Sequence, residues 1–291
     1  MIRIIASDMD GTLLNSEHML NDRTIAAIKS AQKAGICFVI ATGRSFEQTI
    51  HTLENAGIIC DYIVNSGAEV RNSKREILQS RYMQIEDCRA VHEILQKNSI
   101  TYHFGTIDKD YCIGDAKNIE CEASEHIRAF NQELTEDEIR AMDFFKYMAS
   151  RTKVVSNFEE LEKSGAHIIK VFAMSNDLEK LRKIEAELQK LPNLAIASSF
   201  ENNLEITDRK AQKGIVLKEY IESLGYTMEE VMVFGDSMND YSMLSMDFGA
   251  TVAMENGMEK VKEVAKYITK SNAEDGVAHA IEELLKNRIS R

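Results

Sequence analysis

Short apolar runs that alternate with helical segments at both ends of the chain restrict its possible folds more than any other feature. Residues 2–7, 36–41 and 231–234 are such runs, and each stops at a polar or glycine-containing turn. They predict strands buried on both faces, while the segments between them carry apolar residues at helical spacing. Buried strands that alternate with helices form a parallel sheet covered on both sides. We therefore expect an α/β fold with a doubly wound parallel sheet, a Rossmann-like core.

The middle third of the chain departs from this rhythm. Its expected elements are a helix at 85–96, strands at 101–104 and 111–113, a polar helical region up to about 163, a strand at 167–174, a helix at 177–191 and a strand at 194–199. This change of pattern predicts a smaller α/β domain inserted into the core. We place the core segments at 1–83 and 200–291 and the inserted domain at 84–199.

Charge and composition exclude several classes of partner. The 291 residues include 47 acidic and 35 basic side chains, and the net charge of −12 opposes binding to nucleic acid or to an anionic membrane surface. No apolar run reaches the ~20 residues that a membrane helix needs. The five cysteines include no C-x-x-C pair, so neither a disulfide framework nor a zinc site is indicated. We expect a cytoplasmic protein.

Polar side chains follow the expected strands, at the points where open parallel sheets bind ligands. The groups at these strand ends are Asp8 with Asp10, Thr42 with Gly43 and Arg44, Asn65 with Ser66 and Gly67, and Asp236 with Asn239 and Asp240. Aspartates that converge on one pocket raise one another's pKa unless a cation shares the site. Mg²⁺ suits oxygen ligands and would offset the repulsion between an aspartate nucleophile and a phosphate. The sequence therefore predicts a Mg²⁺ site.

These residues also suit phosphoryl transfer, which depends mainly on positioning and on charge stabilisation. An aspartate can carry the phosphoryl group covalently and so divide one displacement into two. Lys213, at the start of a predicted helix, and Thr42 are suited to the phosphate oxygens. The expected partner is a small phosphorylated molecule.

Four segments of the chain resemble, in order, the four motifs of the haloacid dehalogenase superfamily, and most closely those of its Cof-type phosphatases. They are residues 8–14 (DMDGTLL), 41–44 (ATGR), 213–214 (KG) and 235–240 (GDSMND). The likeness covers both core segments nearly end to end, whereas the middle third matches only as an α/β cap of suitable length. It implies a Mg²⁺-dependent phosphatase that hydrolyses monoesters of small metabolites through an aspartyl phosphate. A sugar phosphate is the first expectation, and flavin mononucleotide or pyridoxal phosphate is the alternative.

Carried over by position, the resemblance assigns roles to the aspartates. It implies that Asp8 attacks phosphorus, and that Asp10 protonates the leaving alcohol and then deprotonates the attacking water. It also implies that Mg²⁺ binds the Asp8 carboxylate, the main-chain carbonyl of Asp10 and Asp236. Asp240 would orient these ligands or a metal-bound water.

The resemblance further implies that Thr42 and Lys213 bind the transferring phosphoryl group. Lys210 is a competing lysine, but a lysine directly before glycine at a helix start is the family's arrangement, and a helix N-terminus attracts anions. Asn256 receives no role, because its neighbours depart from the family pattern. Further candidates for contacts with phosphate, substrate or the metal's own ligands are Gly43, Arg44, Asn65, Asn239 and Asn272.

Two other functions stay open on the sequence. A phosphomutase or phosphotransferase would use the same aspartyl phosphate but deliver the group to a sugar hydroxyl. A non-catalytic phosphate-binding protein is the other, although a mere phosphoacceptor has no need of Asp10 two residues from its nucleophile. The histidines lack metal-ligand spacing, and in the inserted domain His103 and His126 are candidates for substrate contact.

Overall fold

The structure is a computed structural model that describes residues 1–114, 124, 127 and 133–289. His126 lies outside these residues. The chain forms two compact units, which we call the core unit, Met1–Arg81 with Lys210–Arg291, and the inserted unit, Tyr82–Arg209. Among the described residues no helix combines the length and apolar character that crossing a membrane requires.

Strands and helices alternate through most of the described chain. The strands are β1 (Ile4–Ser7), β2 (Cys37–Ala41), β3 (Asp61–Val64), β4 (Glu69–Arg71), β5 (Ile77–Ser80), β6 (Thr101–Gly105), β7 (Asp110–Ile113), β8 (Thr152–Val155), β9 (Lys170–Met174), β10 (Leu194–Ala197), β11 (Asn203–Asp208), β12 (Val231–Gly235), β13 (Ala250–Ala253) and β14 (Tyr267–Ile268). The helices are α1 (Asp22–Lys33), α2 (Phe46–Asn55), α3 (Ile85–Lys97), α4 (Glu136–Ala141), α5 (Asp143–Arg151), α6 (Phe158–Lys163), α7 (Leu178–Leu188), α8 (Lys213–Ser223), α9 (Tyr241–Leu244), α10 (Glu259–Val264) and α11 (Gly276–Ile289).

The core unit is built on a sheet with the order β14-β13-β12-β1-β2-β3-β4-β5. Strands β14 to β3 in this order are parallel, and β4 and β5 add an antiparallel edge. From β1 the chain proceeds to β2 and β3 on one side, and it later fills the other side from β12 outward. The strand order therefore reverses between β1 and β12, which is the position where such sheets bind ligands.

Side chains of β1 show why both faces of this sheet are covered. Ile5 is buried in a cluster with residues of α1, α2 and α11. Ile4 and Ala6 point to the opposite face and pack with residues of α8 and α9. Alternation along a strand sends neighbouring residues to opposite faces, so an unbroken apolar run requires helices on both. The expected doubly wound α/β core is confirmed.

The inserted unit contains a second sheet with the order β10-β11-β9-β6-β7-β8. β7 and β8 pair in parallel and the other neighbours are antiparallel. Apolar residues of α3, α6 and α7 pack against one face. The polar helical region expected up to about residue 163 is interrupted here, because α5 ends at Arg151 and β8 begins at the next residue.

The two units divide at 81/82 and 209/210, whereas the sequence placed the boundaries at 83/84 and 199/200. The second difference arises from β11, which pairs with β9 and β10 of the inserted unit. Leu204 and Ile206 of β11 are buried in the apolar cluster of that unit. Two apolar residues among polar ones do not reveal from sequence which sheet a strand joins.

Candidate active site

The loop after β1 places Asp8 beside the neighbouring strand β12. The main-chain N–H of Asp8 donates to the carbonyl of Phe234, 3.1 Å away. The chain then turns through Met9–Leu13, where Gly11 has a φ of +76°. A Cβ at Gly11 would lie 2.4 Å from Oδ2 of Asp236. Glycine is therefore needed for both the backbone conformation and the close approach of the loops after β1 and β12.

Lys213 connects two of the strand ends, those of β1 and β12, from a fully buried position at the start of α8. Its Nζ donates to Oδ1 of Asp8 and to Oδ1 of Asp240, each 2.7 Å away. Oδ1 of Asn239 lies 3.3 Å from the same nitrogen. The competing Lys210 is exposed.

The loop after β12 is organised around Asp240. Its Oδ2 accepts the main-chain N–H groups of Asp236, at 3.0 Å, and of Ser237, at 3.2 Å. Oδ1 of Asp236 accepts the hydroxyl of Thr12 at 2.6 Å. Both oxygens of Asp240 are thus engaged by Lys213 and by the backbone, whereas the hydrogen bonds of the described residues leave Oδ2 of Asp236 for another ligand.

Three carboxylates in this pocket form a candidate metal centre. One oxygen each of Asp8, Asp236 and Asp240 can be chosen so that all three lie within 4.8 Å of one another. Burial and the nearby charge of Asp240 raise the pKa of Asp8 well above its ordinary value, and the same causes raise the pKa of Asp236 to about 7. Lys213 is the basic side chain that the described structure places in contact with this cluster, and its one charge cannot balance three ionised carboxylates. The donor set therefore fits a hard divalent cation.

The carboxylate of Asp10 is bound by two other side chains, Arg44 and His18. Nε of Arg44 donates to Oδ2 at 2.7 Å, and Nη2 donates to Oδ1 at 2.5 Å. Nδ1 of His18 lies 3.3 Å from Oδ1. Burial acts to raise the pKa of Asp10, but hydrogen bonds with His18 and Arg44 and the charge of Arg44 lower it well below the ordinary value. His18 was not predicted from the sequence, because no local motif distinguishes it.

Thr42 and Asn65 lie in two neighbouring loops that hold each other. The buried Thr42 accepts the N–H of Arg44 on its hydroxyl at 3.2 Å, and its carbonyl accepts the N–H of Ser66 at 3.0 Å. The N–H of Asn65 donates to the carbonyl of Arg44 at 2.8 Å, while its side-chain amide donates to Glu69 at 3.3 Å. Gly43 lies between Thr42 and Arg44 in this arrangement. The described contacts of Asn65 therefore support the loop that carries Arg44.

Two asparagines hold the loop after β1 from its other side. The amide of Asn272 donates to the carbonyl of Leu14, and the amide of Asn256 donates to the carbonyl of Gly11, each at 2.8 Å. Oδ1 of Asn256 also accepts the N–H of Asn272 at 2.9 Å. Asn256, which received no role from the sequence, thus links the loop of the aspartates to Asn272.

An acidic cluster with a buried lysine, at the reversal point of a doubly wound sheet, defines an α/β enzyme site. Residues 5–281 match the family model described as haloacid dehalogenase-like hydrolase, and the chain belongs to this family. The resemblance to its Cof-type members with an inserted α/β unit is thereby confirmed.

Individual relatives extend over nearly the whole chain. Phosphatase YwpJ of Bacillus subtilis is 29% identical, covering 98% of this chain and 100% of its own length. The 5-amino-6-(5-phospho-D-ribitylamino)uracil phosphatase YwtE of the same organism is 31% identical, with coverage of 99% and 100%. A haloacid dehalogenase-like hydrolase structure from B. subtilis superposes with a TM-score of 0.83 at 28% identity, covering 97% of this chain and all of that one. The chain is therefore an enzyme whose curated relatives include phosphatases.

Proposed function

We propose that this protein is a Mg²⁺-dependent phosphatase that hydrolyses phosphate monoesters of small metabolites through an aspartyl phosphate. The observation that carries the proposal is the buried contact of Lys213 with Asp8, beside the carboxylates of Asp236 and Asp240. Lys213 orients Asp8 by binding Oδ1, which leaves Oδ2 available for attack. A strand-end aspartate that is both buried and oriented is suited to act as a nucleophile.

The reaction has two displacements. Oδ2 of Asp8 attacks phosphorus and the bond from phosphorus to the ester oxygen breaks. Asp10, which first takes up a proton from solvent against the hydrogen bonds of Arg44 and His18, gives that proton to the departing alcohol. Asp10 then takes a proton from water as that water attacks phosphorus, which releases inorganic phosphate and restores Asp8. Thr42 and Lys213 bind the phosphoryl oxygens during both displacements.

Mg²⁺ would be held by the carboxylates of Asp8 and Asp236 and by the main-chain carbonyl of Asp10. When bound, it supplies the positive charge that allows an anionic ester to approach an anionic aspartate. Asp240 orients the site by fixing Lys213 and the main chain of Asp236.

For the substrate class we propose a sugar phosphate, or the phosphate ester of flavin mononucleotide or pyridoxal phosphate, in the cytoplasm. The name of the relative YwtE supports this class, since it specifies a phosphate on a ribityl chain attached to a heterocycle. All of these compounds are monoesters of alcohols, whose departure requires a proton donor such as Asp10.

Release of inorganic phosphate from a panel of such esters tests the proposal. We expect turnover with Mg²⁺, loss of turnover with a chelator, and no turnover by Asp8→Asn. If wild-type protein with Mg²⁺ releases phosphate from no ester of the panel, the proposed hydrolysis is wrong. If the phosphoryl group of the ester is isotopically labelled, recovery of that label on a second sugar hydroxyl, instead of in inorganic phosphate, would indicate a phosphomutase.

A further inference from the structure

The side chain of Asp10 accepts three polar contacts from described residues. Arg44 contacts both carboxylate oxygens, with Nη2 on Oδ1 at 2.5 Å and Nε on Oδ2 at 2.7 Å. Nδ1 of His18 adds a contact to Oδ1 at 3.3 Å. A guanidinium that binds both oxygens in parallel fixes the plane of a carboxylate as well as its position.

The main chain of Arg44 is itself held on both sides. Its N–H donates to the hydroxyl of Thr42 at 3.2 Å, and its carbonyl accepts the N–H of Asn65 at 2.8 Å. The side chains of Arg44 and Asp10 are 25% and 29% exposed, so water weakens this pair less than a pair on the open surface. The loops after β2 and β3 therefore fix Arg44, and Arg44 in turn fixes the carboxylate of Asp10.

We propose that Arg44 is a positioning residue that aims Asp10 at the ester oxygen, and not a ligand of the phosphate or substrate, for which the sequence makes it a candidate. The proposal rests on the proposed phosphatase function. Guanidinium stays protonated at every working pH, so Arg44 cannot itself donate the proton. Its effect on the reaction passes through Asp10.

The same contacts identify the oxygen of Asp10 that exchanges the proton. An ionised carboxylate offers about four acceptor positions, two on each oxygen. Arg44 and His18 use both positions on Oδ1, and Arg44 uses one on Oδ2. The position left within the described contacts lies on Oδ2. When Asp10 is protonated, this oxygen therefore carries the proton and gives it to the ester oxygen as the bond to phosphorus breaks.

Leaving groups of different acidity separate this role from phosphate binding. A sugar alcohol requires a proton as it leaves, whereas p-nitrophenolate leaves readily without one. For Arg44→Ala, we expect the single-turnover rate of alcohol release from a sugar phosphate to fall by about 10- to 100-fold, approaching the loss of a general acid. We expect KM to change little and release of p-nitrophenolate to slow by less than about threefold. A phosphate ligand would slow both esters equally and raise both KM values.

A double-mutant cycle with Asp10→Asn gives the second readout. If Arg44 acts through Asp10, Arg44→Ala slows alcohol release in wild-type protein but adds little in the Asp10→Asn background. Arg44→Lys, which keeps the charge but loses the two-point contact, should lie between wild type and Arg44→Ala. If the double variant instead slows alcohol release by the product of the two single-variant factors, the proposal is wrong.

Arg23 provides a matched control in the same unit. Its guanidinium binds Glu282 through two hydrogen bonds, of 3.0 and 2.8 Å, and it contacts none of the site residues in the described structure. Arg23→Ala should therefore leave both esters at wild-type rates, and circular dichroism should show all variants folded. Inactive wild-type protein would contradict the proposed function, whereas active wild-type protein with equal losses on both esters would contradict only the role of Arg44.

Discussion

Replacing Lys213 by Met removes the one cation that the described structure places between Asp8 and Asp240. Lys213 is fully buried, and its two carboxylate partners are almost fully buried as well. Methionine fills a similar volume but leaves both carboxylates without a positive partner. We expect the variant to be strongly destabilised and inactive.

The magnitude follows from the cost of an uncompensated buried charge. Removing one partner of a buried ion pair typically costs about 3 to 5 kcal/mol. At about 2 to 4 °C for each kcal/mol in a domain of this size, the melting temperature of the core unit should fall by about 6 to 20 °C. Added Mg²⁺ should recover part of this loss, because a divalent cation bound to Asp8 and Asp236 would replace the missing charge.

Thermal unfolding followed by circular dichroism, with a chelator and then with Mg²⁺, measures both effects. Lys210→Met is the matched control, since Lys210 is exposed and its loss should stay within about 0.5 kcal/mol. A Lys213→Met variant that melts as the Lys210→Met control does, in the presence of chelator, would refute the view that Lys213 neutralises this cluster.

Three further predictions concern other parts of the structure. Gly11→Ala should lower kcat/KM more than tenfold and weaken Mg²⁺ binding, because its Cβ would lie 2.4 Å from Asp236; a Mg²⁺ titration of activity checks this. Asn256→Ala should cost about 2 kcal/mol of unfolding free energy, because it removes two hydrogen bonds of about 1 kcal/mol each, measured by urea denaturation. Burial and the charge of Lys170 lower the pKa of His103 to about 4, and we expect an NMR titration to find a value near 4. Since the unfolded side chain titrates near ~6.5, His103 should reduce stability as the pH falls from ~6.5 towards 4, and a folded pKa near 6.5 would contradict this.

Much of the fold is predictable from local sequence patterns. Buried parallel strands such as β1 and β12 are apolar at nearly every position, and each ends at an aspartate or glycine turn. These signals depend on neighbouring residues alone. The boundary at 209/210 was not predicted, because β11 joins the inserted unit's sheet by pairing with β9, from which α7 and β10 separate it in the chain.

Some residues of the candidate site were likewise predictable from the sequence and others were not. The sequence pointed to Asp8, Asp236 and Lys213 because each lies at the end of a strand or the start of a helix. It did not reveal the partner of Asp10, since Arg44 is also a plausible phosphate ligand at its position. His18 and Asn256 were missed, because a single histidine or asparagine in a loop carries no periodic or spacing signal.

The sequence by itself determined the doubly wound core and the polar strand ends, because apolar runs and turn residues act over a few positions. Tertiary structure alone decided which cation binds which carboxylate. Lys213 reaches Asp8 across 205 residues of sequence, and Arg44 reaches Asp10 across 34. Such contacts depend on strand order and loop geometry, so chemically similar aspartates acquire different partners and different proposed roles.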